Sequence, residues 1–158
     1  MAKPRPLIGL MAGIAAGLVA SAAISAFQSA AQPLLSDDDD ADPATVKAAD
    51  AVSEAATGSK VPRPYREASG EMVHYVVGAV MGGIYGVLTE YRPDASAGFG
   101  SAYGIATSTL LDQAAVPALD LGPDADETPA ETHIYGVASH LVFGIVLEGV
   151  RRLIAGKR

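Results

Sequence analysis

Charged residues along this chain are gathered into short stretches, with long apolar segments between them. No Asp, Glu, Lys or Arg occurs from Leu7 to Leu35, from Met72 to Thr89, from Ala95 to Leu111 or from Thr132 to Leu147. A helix that crosses a bilayer needs ~20 predominantly apolar residues. The pattern predicts four membrane helices, near 7–31, 70–90, 95–117 and 133–154. The last two reach full length only by taking in Asp112 and the Glu148–Arg152 end. Helices of soluble bundles carry a charged outer face, and these segments carry none. Their Gly, Ala and Ser content suits close helix packing in lipid. The expected fold is an all-α integral membrane four-helix bundle, two tandem helical hairpins in a single domain spanning 1–158.

The intervening stretches set an expected topology. YRPD at 91–94 reads as a tight turn that makes helices two and three a close hairpin. The only sizeable extramembrane piece is 32–69. It holds an acidic run, Asp37–Asp40, and then Asp42-Pro43 as the start of a short amphipathic helix ending at Gly58. Ala44, Val46, Ala49, Val52 and Ala56 form that helix's apolar face. The acidic run lacks EF-hand spacing and reads as a solvated tether.

Positive residues orient membrane helices. An inside N-terminus puts Lys3, Arg5, Arg92, Arg151, Arg152, Lys157 and Arg158 on the cytoplasmic side. Lys47, Lys60, Arg63 and Arg66 then lie among the acids of the outer loop. The expectation is N-in, C-in, multi-pass, in a bacterial inner membrane. The first apolar stretch far exceeds the ~7–15 residues of a signal-peptide core, so it is read as a retained helix.

Two of the segments contain the same block. Residues 70–83, GEMVHYVVGAVMGG, and 136–149, GVASHLVFGIVLEG, both fit G-x3-H-x-V-x-G-x-V-x2-G. Gly70, Gly78 and Gly83 in one block and Gly136, Gly144 and Gly149 in the other are candidate helix-packing positions, because a missing side chain lets backbones approach. Each block also sets one histidine, His74 or His140, inside an apolar helix. Polar groups in lipid are costly and are functional candidates by default. In the predicted topology Gln28, Glu71, His74, Asp112, Gln113 and His140 all fall in the outer half, as one candidate buried polar cluster.

Three roles suit the histidines. They can fix helix packing by hydrogen bonding. They can respond to protons, since an unperturbed histidine titrates near pH ~6.5. His74 and His140 can also bind a cofactor, ligating haem, or a metal together with Asp112, although no cofactor motif accompanies them. Tyr85, Tyr103 and Tyr135 belong to packing or to an interfacial aromatic belt.

Composition narrows the classes further. The absence of cysteine removes disulfides, thiolate-held iron–sulfur clusters and Cys-type zinc sites. A net charge of −7 argues against a nucleic-acid partner. There is no nucleophile elbow, phosphate loop or H-E-x-x-H, so no catalytic residue is assigned.

Four stretches carry a family resemblance: GLMAGIAAGLVASAAISAFQ, HYVVGAVMGGIYGVLTEYRP, AGFGSAYGIATSTLLDQAAVPALDLGP and SHLVFGIVLEGVRRLI. Through them the chain resembles the YagU-like family of small bacterial inner-membrane proteins, a domain of unknown function. The resemblance implies a multi-helix inner-membrane protein and supplies no catalytic residues; the SDDDDADP loop is this chain's own variation. The expected function is a non-enzymatic accessory or scaffold element, linked to envelope or acid stress. It would contact lipid and a membrane-protein partner or copies of itself. The alternatives are a bis-histidine haem- or metal-binding protein for electron transfer or sensing, and an oligomeric minimal transporter or channel, which the repeat favours.

Overall fold

The computed structural model describes residues 3–31, 42–124 and 126–157. These residues are all-α, with no strand among them. In chain order the helices are α1 (Pro6–Ala31), α2 (Ala44–Thr57), α3 (Arg66–Tyr91), α4 (Ser101–Leu110), α5 (Val116–Ala118) and α6 (Ala130–Ala155). Three helices are long and apolar enough to cross a membrane: α1, α3 with the 3-10 turn before it, and α6. The acidic run Asp37–Asp40 lies outside the described residues.

The third expected helix differs most from its sequence pattern. It begins at Ser101 rather than near 95, because Gly98, Phe99 and Gly100 all have positive φ (60°, 57° and 84°). A right-handed helix cannot run through such residues. Farther on, residues 111–115 form a π turn between α4 and α5, with the Val116 amide donating to the Leu111 carbonyl. Pro117 follows. It has no amide hydrogen, and its ring crowds the carbonyl four residues back, which accounts for the widened turn.

Helix α2 ends where expected, at Gly58 (φ 77°), whose amide donates to the Glu54 carbonyl. Val46 and Ala49 are buried, whereas Val52 is 68% exposed. Only the first half of α2 reaches the bundle, where Val46 sits over Gly70 of α3. Asp50 is buried and accepts from the Val61 amide (3.1 Å) and from Arg66 (2.6 Å). Arg66 also reaches Asp42 at 2.8 Å. These bonds hold the first turn of α3 against α2, so the helix starts at Arg66, ahead of the apolar run expected from residue 70.

Glycines decide how the long helices meet. A Cβ on Gly9, Gly13 or Gly17 of α1 would strike the carbonyl oxygen of Gly86, Gly82 or Gly78 of α3, respectively. The two helices therefore run antiparallel with backbones in direct contact. The α4–α6 seam works the same way: Gly100 abuts the Gly144 carbonyl, and Gly104 abuts that of His140. Of the six repeat glycines, Gly78 and Gly144 lie on these seams. Gly70 meets Val46, Gly83 meets Leu10 and Ile14, Gly136 meets Asp112, and Gly149 meets the Phe99 ring. Gly82 and Gly86, outside the repeat pattern, complete the α1–α3 seam.

Phe27 stacks on Tyr135, and Arg5 donates to the Ala155 carbonyl, so α6 is also antiparallel to α1. The start of α1 and the ends of α3 and α6 thus share one end of the molecule. Between the helices, Ala16, Ala20, Ile24, Tyr85, Phe143 and Leu147 form the buried apolar core.

Candidate functional site

At the opposite end of the molecule, beneath α2, lies a chamber of about 560 Å³. Its lining includes Ser25 and Gln28 of α1, Glu71 and His74 of α3, Asp112 of the π turn, and Ser139 and His140 of α6. Five of the six residues expected to cluster therefore come together here. Gln113 does not: it is exposed and absent from the lining, because the π turn presents Asp112 inward and carries the next residue outward. Glu71 is exposed at the chamber and accepts from Ser25 at 3.1 Å.

The histidines share this chamber but are held differently. His140 Nδ1 lies 3.0 Å from the Gly136 carbonyl and 3.2 Å from Asp112 Oδ2. Both neighbours are acceptors, so Nδ1 carries a hydrogen and Nε2 is left for another partner. Asp112 Oδ2 also accepts from Ser108 at 2.9 Å. His74 turns Nε2 to the Ser21 carbonyl at 3.3 Å. That nitrogen is the donor, which leaves Nδ1. A smaller cavity of about 50 Å³, lined by Ser21, His74, Thr107 and His140 among others, lies between the two rings.

This geometry bears on chemistry. Ser108, Asp112 and His140 stand in contact, but the carboxylate is in the middle. In a serine–histidine–carboxylate triad the imidazole takes the serine proton, whereas here Ser108 donates to Asp112. For haem, bis-histidine ligation through the Nε2 atoms requires His74 to give up its bond to Ser21. Among the described residues no group of three His, Asp or Glu side chains is placed to hold a metal ion.

A second polar cluster, at the far end of the core, is absent from the sequence expectation. Glu148, Arg151 and Tyr85 are fully or almost fully buried (0%, 1% and 0% exposed). Glu148 accepts from Tyr85 Oη (2.8 Å), Arg151 Nε (2.7 Å) and Arg151 Nη2 (3.0 Å), and it also pairs with Arg152. Arg152 lies over the Phe99 ring, 4.7 Å from its centroid. Nearby, the Arg5 amide donates to Glu90 at 2.6 Å while its side chain reaches the end of α6. Tyr85 also packs on Tyr103 at 4.6 Å, so both tyrosines serve the core.

Two signals in the sequence point to this cluster. Glu148, Arg151 and Arg152 have the i, i+3 and i, i+4 spacing that lets helical side chains meet. In the register of the repeat, Glu148 also occupies the place of the seam glycine Gly82. The second block thus inserts a carboxylate where the first needs bare backbone.

The chain matches no family model, no curated protein and no solved structure.

Proposed function

We propose that this chain is a multi-pass protein of a bacterial inner membrane, with four helices in the bilayer, both termini cytoplasmic and no reaction of its own. It acts as an accessory element in the response of the envelope to acid, with its histidine chamber facing the outer compartment. The observation that carries this reading is the convergence of His74, His140, Glu71 and Asp112 on one chamber at the α2 end.

Several features support the membrane setting. The apolar side chains of Met72, Val76, Val80 and Ile84 form an exposed stripe on α3, each more than half exposed. Such a stripe is unfavourable in water and ordinary against acyl chains. Arg5, Arg151 and Arg152 gather at the end opposite the chamber, as expected for a cytoplasmic face. Residues 101–118 rise about 27 Å at ~1.5 Å per residue, close to the ~30 Å of a hydrocarbon core, and make the fourth span. Lipid, and a membrane partner or second copy, cover the exposed apolar faces.

The cysteine-free chain makes the topology directly testable. Ser59→Cys, in the α2–α3 connection, should react with a membrane-impermeant maleimide on intact spheroplasts. Asp94→Cys, in the α3–α4 turn, should react only after lysis. The reverse pattern would invert the proposed orientation.

The accessory role is tested with the histidines. His140→Ala removes the contacts to Gly136 and Asp112, and is expected to cost about 1–3 kcal/mol of stability without changing the absorbance spectrum. His74→Ala should act in the same direction. Variants as stable and as fully assembled as the parent would sink the accessory reading. A Soret band in the purified parent that disappears in either variant would replace it with a haem protein.

A further inference from the structure

The chamber is polar in an unbalanced way. Glu71 and Asp112 face it, and apart from His74 and His140, which carry no charge in their neutral form, no basic side chain appears in its lining among the described residues. Among the described residues each carboxylate accepts hydrogen bonds at only one of its oxygens: Glu71 Oε1 from Ser25, and Asp112 Oδ2 from Ser108 and His140. The Asp112 side chain remains 39% exposed, so its second oxygen is reachable from the chamber. Apolar side chains also line the chamber, with Ile24, Val77 and Leu119 contributing from three segments, beside the uncharged polar groups of Ser25, Gln28 and Ser139.

An independent observation points to an occupant. Ser139, which lines the chamber, and Ser21, which lines the small cavity between the histidines, are 2% and 0% exposed. Both hydroxyl oxygens are buried, and neither has a hydrogen-bond partner among the described residues. Buried polar atoms are nearly always satisfied. A hydroxyl oxygen with no partner can turn its lone pairs toward a positive charge in the cavity it borders.

We propose that the chamber is a binding site for a lipophilic organic cation, such as an amine or onium ion carrying apolar groups. Its charge lies against Glu71 and Asp112, and its apolar body rests on the α1, α3 and α5 side of the wall. An anion is repelled by the two carboxylates. A neutral apolar molecule gains nothing from them and loses the desolvation of both. This inference goes beyond the accessory role and is independent of membrane orientation, since it is tested on the detergent-purified chain.

The test uses two ions of nearly equal size and shape, tetraphenylphosphonium and tetraphenylborate, in equilibrium dialysis against the purified protein. The phosphonium should bind saturably and the borate should not. The Glu71→Gln/Asp112→Asn variant should lose at least ten-fold in phosphonium affinity. Gln28→Lys keeps both carboxylates and adds a cation to the wall, and should weaken binding similarly while circular dichroism stays that of the parent. Glu54→Gln, on the exposed face of α2, should bind as the parent does. Equal uptake of both ions, no saturable phosphonium binding, or full affinity in Gln28→Lys would overturn the proposal.

Discussion

Glu148→Leu is expected to remove most of the folded population of the purified protein, the largest effect of any single substitution away from the glycine seams. The carboxylate accepts three hydrogen bonds from Tyr85 and Arg151 within the core and pairs with the partly exposed Arg152. Removing it deprives the Arg151 guanidinium, 1% exposed, of the carboxylate that accepts its two hydrogen bonds. Breaking a buried pair on one side costs about 3–5 kcal/mol, whereas replacing both partners with apolar residues of similar volume is close to neutral. Glu148→Leu/Arg151→Met should therefore be more stable than Glu148→Leu alone. Thermal melts of the two variants and of Arg151→Met, read as a double-mutant cycle, decide it. A double variant no better than the single would mean that the cluster does not act as a charge pair.

The second large effect is expected at the α1–α3 seam. In Gly82→Ala the new methyl meets the Gly13 carbonyl oxygen and the Gly17 Cα, and in Gly86→Ala it meets the Gly9 carbonyl oxygen. The obstacles are backbone atoms of a packed helix, which cannot swing aside as a side chain can. Each substitution should cost about 1–3 kcal/mol, the usual range for overpacking. Gly149→Ala is the internal control, because its methyl would lie 3.7 Å from the Phe99 ring, ordinary contact. Melting temperature and gel-filtration profile should fall for the first two variants and hold for the third. Uniform tolerance would show that the helices can separate freely, contrary to the seam geometry.

These two predictions also mark the boundary of what the sequence disclosed. Apolar runs announced the long helices, because charge is excluded from such segments for a simple solvation reason, independent of which neighbour each helix meets. Turn chemistry did as well for α2, since Gly58 has a local reason to end a helix. The sharing of a chamber by His74, His140 and Asp112 was legible from depth alone, because alternate helices run in opposite directions and bring like depths together. Gln113 escaped that reasoning: depth says nothing about facing, and the π turn rotates it outward.

The glycine seam shows the same limit. The repeat drew attention to Gly83 and Gly149, yet backbone-to-backbone contact with α1 is made at Gly78, Gly82 and Gly86, a four-residue spacing on a neighbouring face, while Gly83 meets only α1 side chains. Either set offers bare backbone. Which one is used depends on the rotation of α3 about its axis, and that follows from the partner's own glycines at positions 9, 13 and 17.

By itself the sequence determined an all-helical chain, the three long apolar helices, the ends of α2 and the candidates for a polar chamber, since each follows from local propensity or from the period of the apolar pattern. Only the tertiary structure decided which glycines touch, that Gln113 faces out, and that Glu148 and Arg151 are sealed inside as a pair. Those outcomes depend on helix rotation and on which charges find one another across the core, and both are properties of the packed whole.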